Sequence, residues 1–132
     1  MFFLRVDASG SIIPGSDRYF DAINLAVTDR TLSSIIDEGE AITSTIDDGF
    51  VVAGTTTTNP EKGNGGKDIF LVKVNSFGDL VWIKTIGGAG DEVPSAIRET
   101  AEGDLLICGT NTLGDYASVF LMKTDKNGEV KN

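Results

Sequence analysis

The 132-residue chain contains no histidine. This excludes Ser-His-Asp and Cys-His catalysis, imidazole proton shuttles and His-containing zinc sites together. Its one cysteine, Cys108, excludes an internal disulfide and a thiolate metal cage. Inside an expected strand, that thiol reads as a small buried hydrophobe. Positive charge is also scarce, with 11 Lys and Arg against 20 Asp and Glu, a net charge of −9. Such a surface repels a phosphate backbone, and no basic patch with interleaved aromatics offsets it, so nucleic acid is not an expected partner. The acidity itself reads as ordinary solubility. No apolar run reaches the 18 or so residues of a membrane-spanning helix. Met1–Leu4 is too short for a signal core and runs straight into Arg5 and Asp7.

What the chain has is a repeat. Ala41–Gly90 is echoed from Ala96 onward: Ala41-Ile42 by Ala96-Ile97, Gly49 by Gly103, and Gly54-Thr55 by Gly109-Thr110. Phe70–Lys73 then matches Phe120–Lys123, and Gly78 matches Gly128. Self-similarity at this period is the mark of a repeat architecture. The first copy holds four segments of strand chemistry, 40–46, 50–56, 69–75 and 80–86, rich in Val, Ile, Phe and Thr. The second holds 95–100, 104–109, 119–124 and a stub at 129–131. Asp48-Gly49, Glu102-Gly103 and Asn127-Gly128 between them are hairpin signals, because glycine accepts the positive φ of tight turns. Four hairpin-linked strands in about 50 residues make a meander of propeller-blade size. The expected fold is all-β, built of four-stranded antiparallel meander blades as a partial β-propeller.

The runs Ala41–Thr55, Ile69–Gly78 and Trp82–Gly88 carry a further likeness. The pattern A-I-x-x-T-x-x-[DE]-G, then F-L-[VM]-K, then W-x-K-T-[IF]-G-G resembles the delta-60 and SBBP-type propeller repeats of bacterial secreted and surface lipoproteins. The likeness spans roughly residues 41–132, and it implies a propeller fold and an extracellular or cell-surface location, with the export signal outside this chain. It transfers no activity.

In this reading residues 1–13 end an incomplete blade, since Phe2–Gly10 aligns with Phe70–Gly78. Residues 14–36 are an insertion or connection, containing a short helical turn or an extra hairpin. Residues 37–90 form a complete blade, and 91–132 a second one lacking most of its outer strand. This falls short of the roughly 4–8 blades that close a ring. The chain is thus expected to be part of a longer protein, to assemble with further copies through its open strand edges, or to form an open stack, the first being favoured.

No catalytic, cofactor or metal residues are expected. The Asp125–Glu129 run opens like a calcium loop but lacks the 12-residue frame and terminal Glu, and a hairpin turn explains it. Gly63–Asp68 lacks the G-K-[ST] ending of a phosphate cradle. Asp91 and Glu92 are adjacent and so point opposite ways in a strand. Lys73 and Lys123 recur at one strand position and read as lysines at strand rims. Trp82, with Lys67 and Asp68 at the end of the Gly-rich loop, are the candidate ligand contacts. The expected function is a non-enzymatic binding or scaffold module for a protein or glycan partner. The alternatives are part of a polysaccharide-active propeller enzyme with its catalytic residues elsewhere, or a purely structural repeat. Loops of unequal length at 55–68 and 111–117 favour binding.

Overall fold

The computed structural model describes residues 2–19, 37–57 and 66–131. Most of the 14–36 connection, with its expected turn or hairpin, and most of the Asn59–Lys67 loop lie outside the described residues. Among those described, the chain is all-β and antiparallel, with no helix. Strands β1 (Phe2–Phe3) and β2 (Arg18–Tyr19) form a short pair. Strands β3 (Asp37–Ser44), β4 (Phe50–Thr56), β5 (Asp68–Val74) and β6 (Leu80–Ile86) form a four-stranded meander. Strands β7 (Asp91–Glu99), β8 (Leu105–Leu113) and β9 (Tyr116–Thr124) form a three-stranded one.

One turn design joins these strands. In Asp7–Ser11, Asn75–Asp79, Thr100–Asp104 and Asp125–Glu129 the fourth residue is a glycine with φ near +80°, and its N–H donates to the first residue's carbonyl. The leading Asp or Asn reinforces three of these turns. Oδ1 of Asp7, Asn75 and Asp125 each accepts from the N–H groups two and four residues on. In the fifth turn, Thr45–Gly49, the left-handed position is Asp48, at φ 60°. Asp48, not Gly49, is therefore the counterpart of Gly103. The repeat offset is then constant through the front half: the β-bulges after Gly39 and Pro94 fall at matching places, as do Gly54 and Gly109. Gly49 is needed for another reason, because a Cβ there would run into Lys73 Nζ and the Val74 carbonyl.

β5 is buried along its whole length, so both of its faces carry core. Ile69 and Leu71 point to one side, where Val51 and Ala53 of the first sheet meet Ile97, Leu105 and Ile107 of the second. Phe70, Val72 and Val74 form a second apolar layer on the other side, with Phe50 and Ile83. Burial of each such side chain stabilises the fold by about 1.5–3 kcal/mol. The sheets are joined chiefly through β7, which packs across β3, β4 and β5. Phe120 and Met122 of β9 reach the same core from its rim.

Three further expectations are revised. Residues 111–117 are not a loop: β8 and β9 continue to Leu113↔Tyr116 and turn at Gly114-Asp115. Thr and small residues there keep the ladder going where turn signals suggested a break. Lys73 is buried rather than set at a rim, because Thr45 Oγ1, Asp47 Oδ1 and the Val74 carbonyl accept from its ammonium. Cys108 is half-buried, on the face of β8 turned away from the core.

Candidate functional site

In a meander, the turns after the first and third strands of a sheet lie at one end. The Thr45–Gly49, Thr100–Asp104 and Asp125–Glu129 turns of the two stacked sheets therefore gather together. Between them opens a cleft of about 480 Å³. Val51 and Leu105 line its apolar part, Trp82 of β6 forms one wall, and Asp47, Glu99 and Glu102 ring it with carboxylates. Lys73 and Lys126 also line it.

Each wall is fixed by contacts between strands or between sheets. Glu99, at the end of β7, accepts the Ile46 N–H at 2.6 Å and so ties the second sheet to the first sheet's turn. Trp82 lies beneath the Asp125–Glu129 turn. A Cβ on Gly128 would come within 3.1 Å of the indole and 2.8 Å of Lys84 Cγ, so only glycine lets the turn approach this closely. Lys84 pairs with Glu129 beside it. Asp47 accepts from Lys73 at 2.7 Å and from Thr45 at 2.6 Å, and these bonds hold its carboxyl down to about 2. The Thr100 hydroxyl lowers Glu102 in the same way. Both carboxylates are thus ionised at neutral pH, suited to accepting hydrogen bonds and not to donating a proton.

Lys67 and Asp68 stand at the opposite end. Trp82 pairs with Lys73 in the sheet, and Asp68 lies five residues up the same strand, about 16 Å away. The three candidate contacts therefore do not form one site. Lys67 is engaged in structure: its ammonium pairs with Glu38 at 2.9 Å, and its carbonyl accepts the Glu92 N–H at 2.7 Å. Asp91 Oδ1 accepts the N–H groups of both Gly66 and Lys67 at 3.0 Å. Asp91 and Glu92 do point apart, Glu92 accepting instead from the Gly88 N–H at 2.9 Å. Asp68 is buried against Gly87, and its Oδ1 has no hydrogen-bond partner among the described residues. Desolvation, then the nearby Glu92 and Asp91, raise its pKa.

Among the described residues, no group of three or more His, Cys, Asp or Glu is placed to hold a metal ion, and no helix is long and apolar enough to cross a membrane. Asp47, Glu99, Glu102 and Lys126 are cleft residues that sequence reasoning passed over. The signal was present, since every one lies in or beside a hairpin turn that the meander order assigns to one end. No protein-family model matches the chain, and no curated protein sequence matches it.

Proposed function

We propose that the chain is a portion of a β-propeller and serves as a non-enzymatic binding or scaffold module of an exported bacterial protein, taking a protein or glycan partner at the cleft between its sheets. The observation that carries this reading is the cleft itself: a flat indole, an apolar floor, and carboxylates from the Thr45–Gly49 turn, the end of β7 and the Thr100–Asp104 turn. Rings of hydrogen-bond acceptors beside an aromatic face suit a hydroxyl-rich ligand. The propeller assignment is supported by two successive meanders of one design, the second laid on the first through its leading strand. The resemblance to delta-60 and SBBP-type repeats supports the exported, cell-surface location.

Trp82 is the only tryptophan, so its emission reports on the cleft directly. Titration with a panel of neutral and cationic oligosaccharides is expected to shift that emission for at least one member. The Glu99→Gln and Glu102→Gln variants are expected to weaken the response. A panel with no effect on Trp82 emission would remove the glycan and leave the protein partner.

A further inference from the structure

The cleft offers a ligand acceptors more than donors. Lys73 is spent within the fold, because its three ammonium hydrogens go to Thr45 Oγ1 at 2.7 Å, Asp47 Oδ1 at 2.7 Å and the Val74 carbonyl at 3.3 Å. Asp47 Oδ1 also takes the Thr45 hydroxyl and the Gly49 N–H, and Glu99 Oε2 takes the Ile46 N–H. Each carboxyl is thus oriented through one oxygen, which leaves the other for a ligand. With the Lys73–Asp47 pair set aside, Glu99 and Glu102 still outnumber Lys126, which stands on the exposed Asp125–Glu129 turn. The chain as a whole carries −9. A neutral ligand would use these acceptors and leave their charge unanswered, whereas a cation uses both.

The lining is also more apolar than a hydroxyl-rich ligand needs. Ile46 is held out at a turn position and is 77% exposed, and Val81 of β6 is 54% exposed. Both line the cleft together with the Trp82 indole. Aliphatic and aromatic surface gathered at one place and edged with charge has the composition of a protein-docking surface. The planar indole beside two oriented carboxylates narrows the cation further. A guanidinium is flat and permanently charged, stacks on an aromatic face, and directs a fork of N–H donors outward in its own plane.

We infer that the occupant of the cleft is an arginine-bearing segment of another protein, an assignment that rests on the cleft being the binding surface. The guanidinium lies on the Trp82 face and donates to Glu99 and Glu102. Aliphatic side chains next to it in the segment cover Ile46 and Val81. Asp47 stays committed to Lys73 and shapes the wall without holding the ligand.

The test follows Trp82 emission of the intact chain during titration with a capped pentapeptide that has arginine at its centre, leucine on either side and glycine at both ends. A saturable change is expected, and it should weaken as salt rises. Citrulline in place of the arginine keeps the shape and removes the charge, and is expected to bind about tenfold more weakly or worse. Glu102→Gln is expected to weaken the arginine peptide about fivefold and the citrulline peptide little. Ile46→Ser, at a position exposed in the fold, is expected to weaken both peptides alike. No response to the arginine peptide, equal binding of the citrulline peptide, or no effect of Glu102→Gln would overturn the inference. A glycan that shifts the emission where the peptide does not would overturn it and leave the cleft reading standing. Silence from peptides and glycans alike would overturn both.

Discussion

Leu71 and Leu121 hold the same position in two sheets of one design, yet one is fully buried and the other 75% exposed. Ile69 and Val119 differ in the same way. The sequence around each is nearly the same, F-L-V-K in one strand and F-L-M-K in the other. What differs is the neighbour. Ile69 and Leu71 are roofed by the second sheet through β7, whereas no described element covers the matching face of β9. A repeat pattern therefore encodes a face that is ready to be buried, and the next unit decides whether it is. One sheet alone cannot bury both sides, which is why repeats of this kind stabilise one another.

That contrast can be broken first at the leucines. Leu71→Ala is expected to cost about 2–5 kcal/mol in urea unfolding, and Leu121→Ala less than about 0.5. Equal costs would mean that the outer face of β9 is covered in solution. The glycines should show the opposite behaviour, symmetry. A Cβ at Gly54 would strike the Glu38 carbonyl and one at Gly109 the Val93 carbonyl, so alanine at either is expected to destabilise by about 1–3 kcal/mol. A large effect at only one of them would show that the two bulged strand pairs are not equivalent.

The lysines sharpen the comparison further. Lys73→Met loses three hydrogen bonds made by a buried ammonium and is expected to cost about 1–2 kcal/mol, whereas Lys123→Met loses a half-exposed lysine's pair with Asp104, which Lys131 still holds, and should change little. The Lys73 pair also sets a pH dependence. The fold lowers Asp47 from 3.8 to about 2, so its contribution is present above pH 4 and is lost as pH falls from about 4 to 2. Lys73→Met should flatten that acid limb. The smallest effect is expected at Asp68, whose folded pKa is raised. Its protonation favours the fold, so stability is lost as pH rises through the folded value. Asp68→Asn should then raise the melting temperature slightly at pH 7 and have no effect below about pH 4.

Strand chemistry was most legible where both ends of a strand met turn residues. Phe50–Thr56 and Leu80–Ile86 were readable to the residue for that reason. β7 and β8–β9 ran beyond their expected bounds, because Val93-Pro94 and Thr110–Tyr116 carry weak local preferences and are held by partners across the ladder. Lys73 looked like a rim lysine because its partners, Thr45 and Asp47, are more than 25 residues away in sequence. The cleft was hidden likewise. Asp47 and Glu102 read as turn residues and Glu99 as part of a strand, and only the stacking of two sheets brings them round Trp82. Lys67 and Asp68 were joined to Trp82 by their residue types, whereas strand length separates them.

The most direct test of the account is amide hydrogen exchange of the chain alone, read at equivalent residues of β5 and β9. The Ile69 and Leu71 amides, paired with β6 under the second sheet, should exchange only on global unfolding. The Val119 and Leu121 amides, which have no backbone partner among the described residues, should exchange nearly as fast as in an unfolded peptide. Comparable protection at both pairs would contradict the account, for it would mean that the second sheet is already complete.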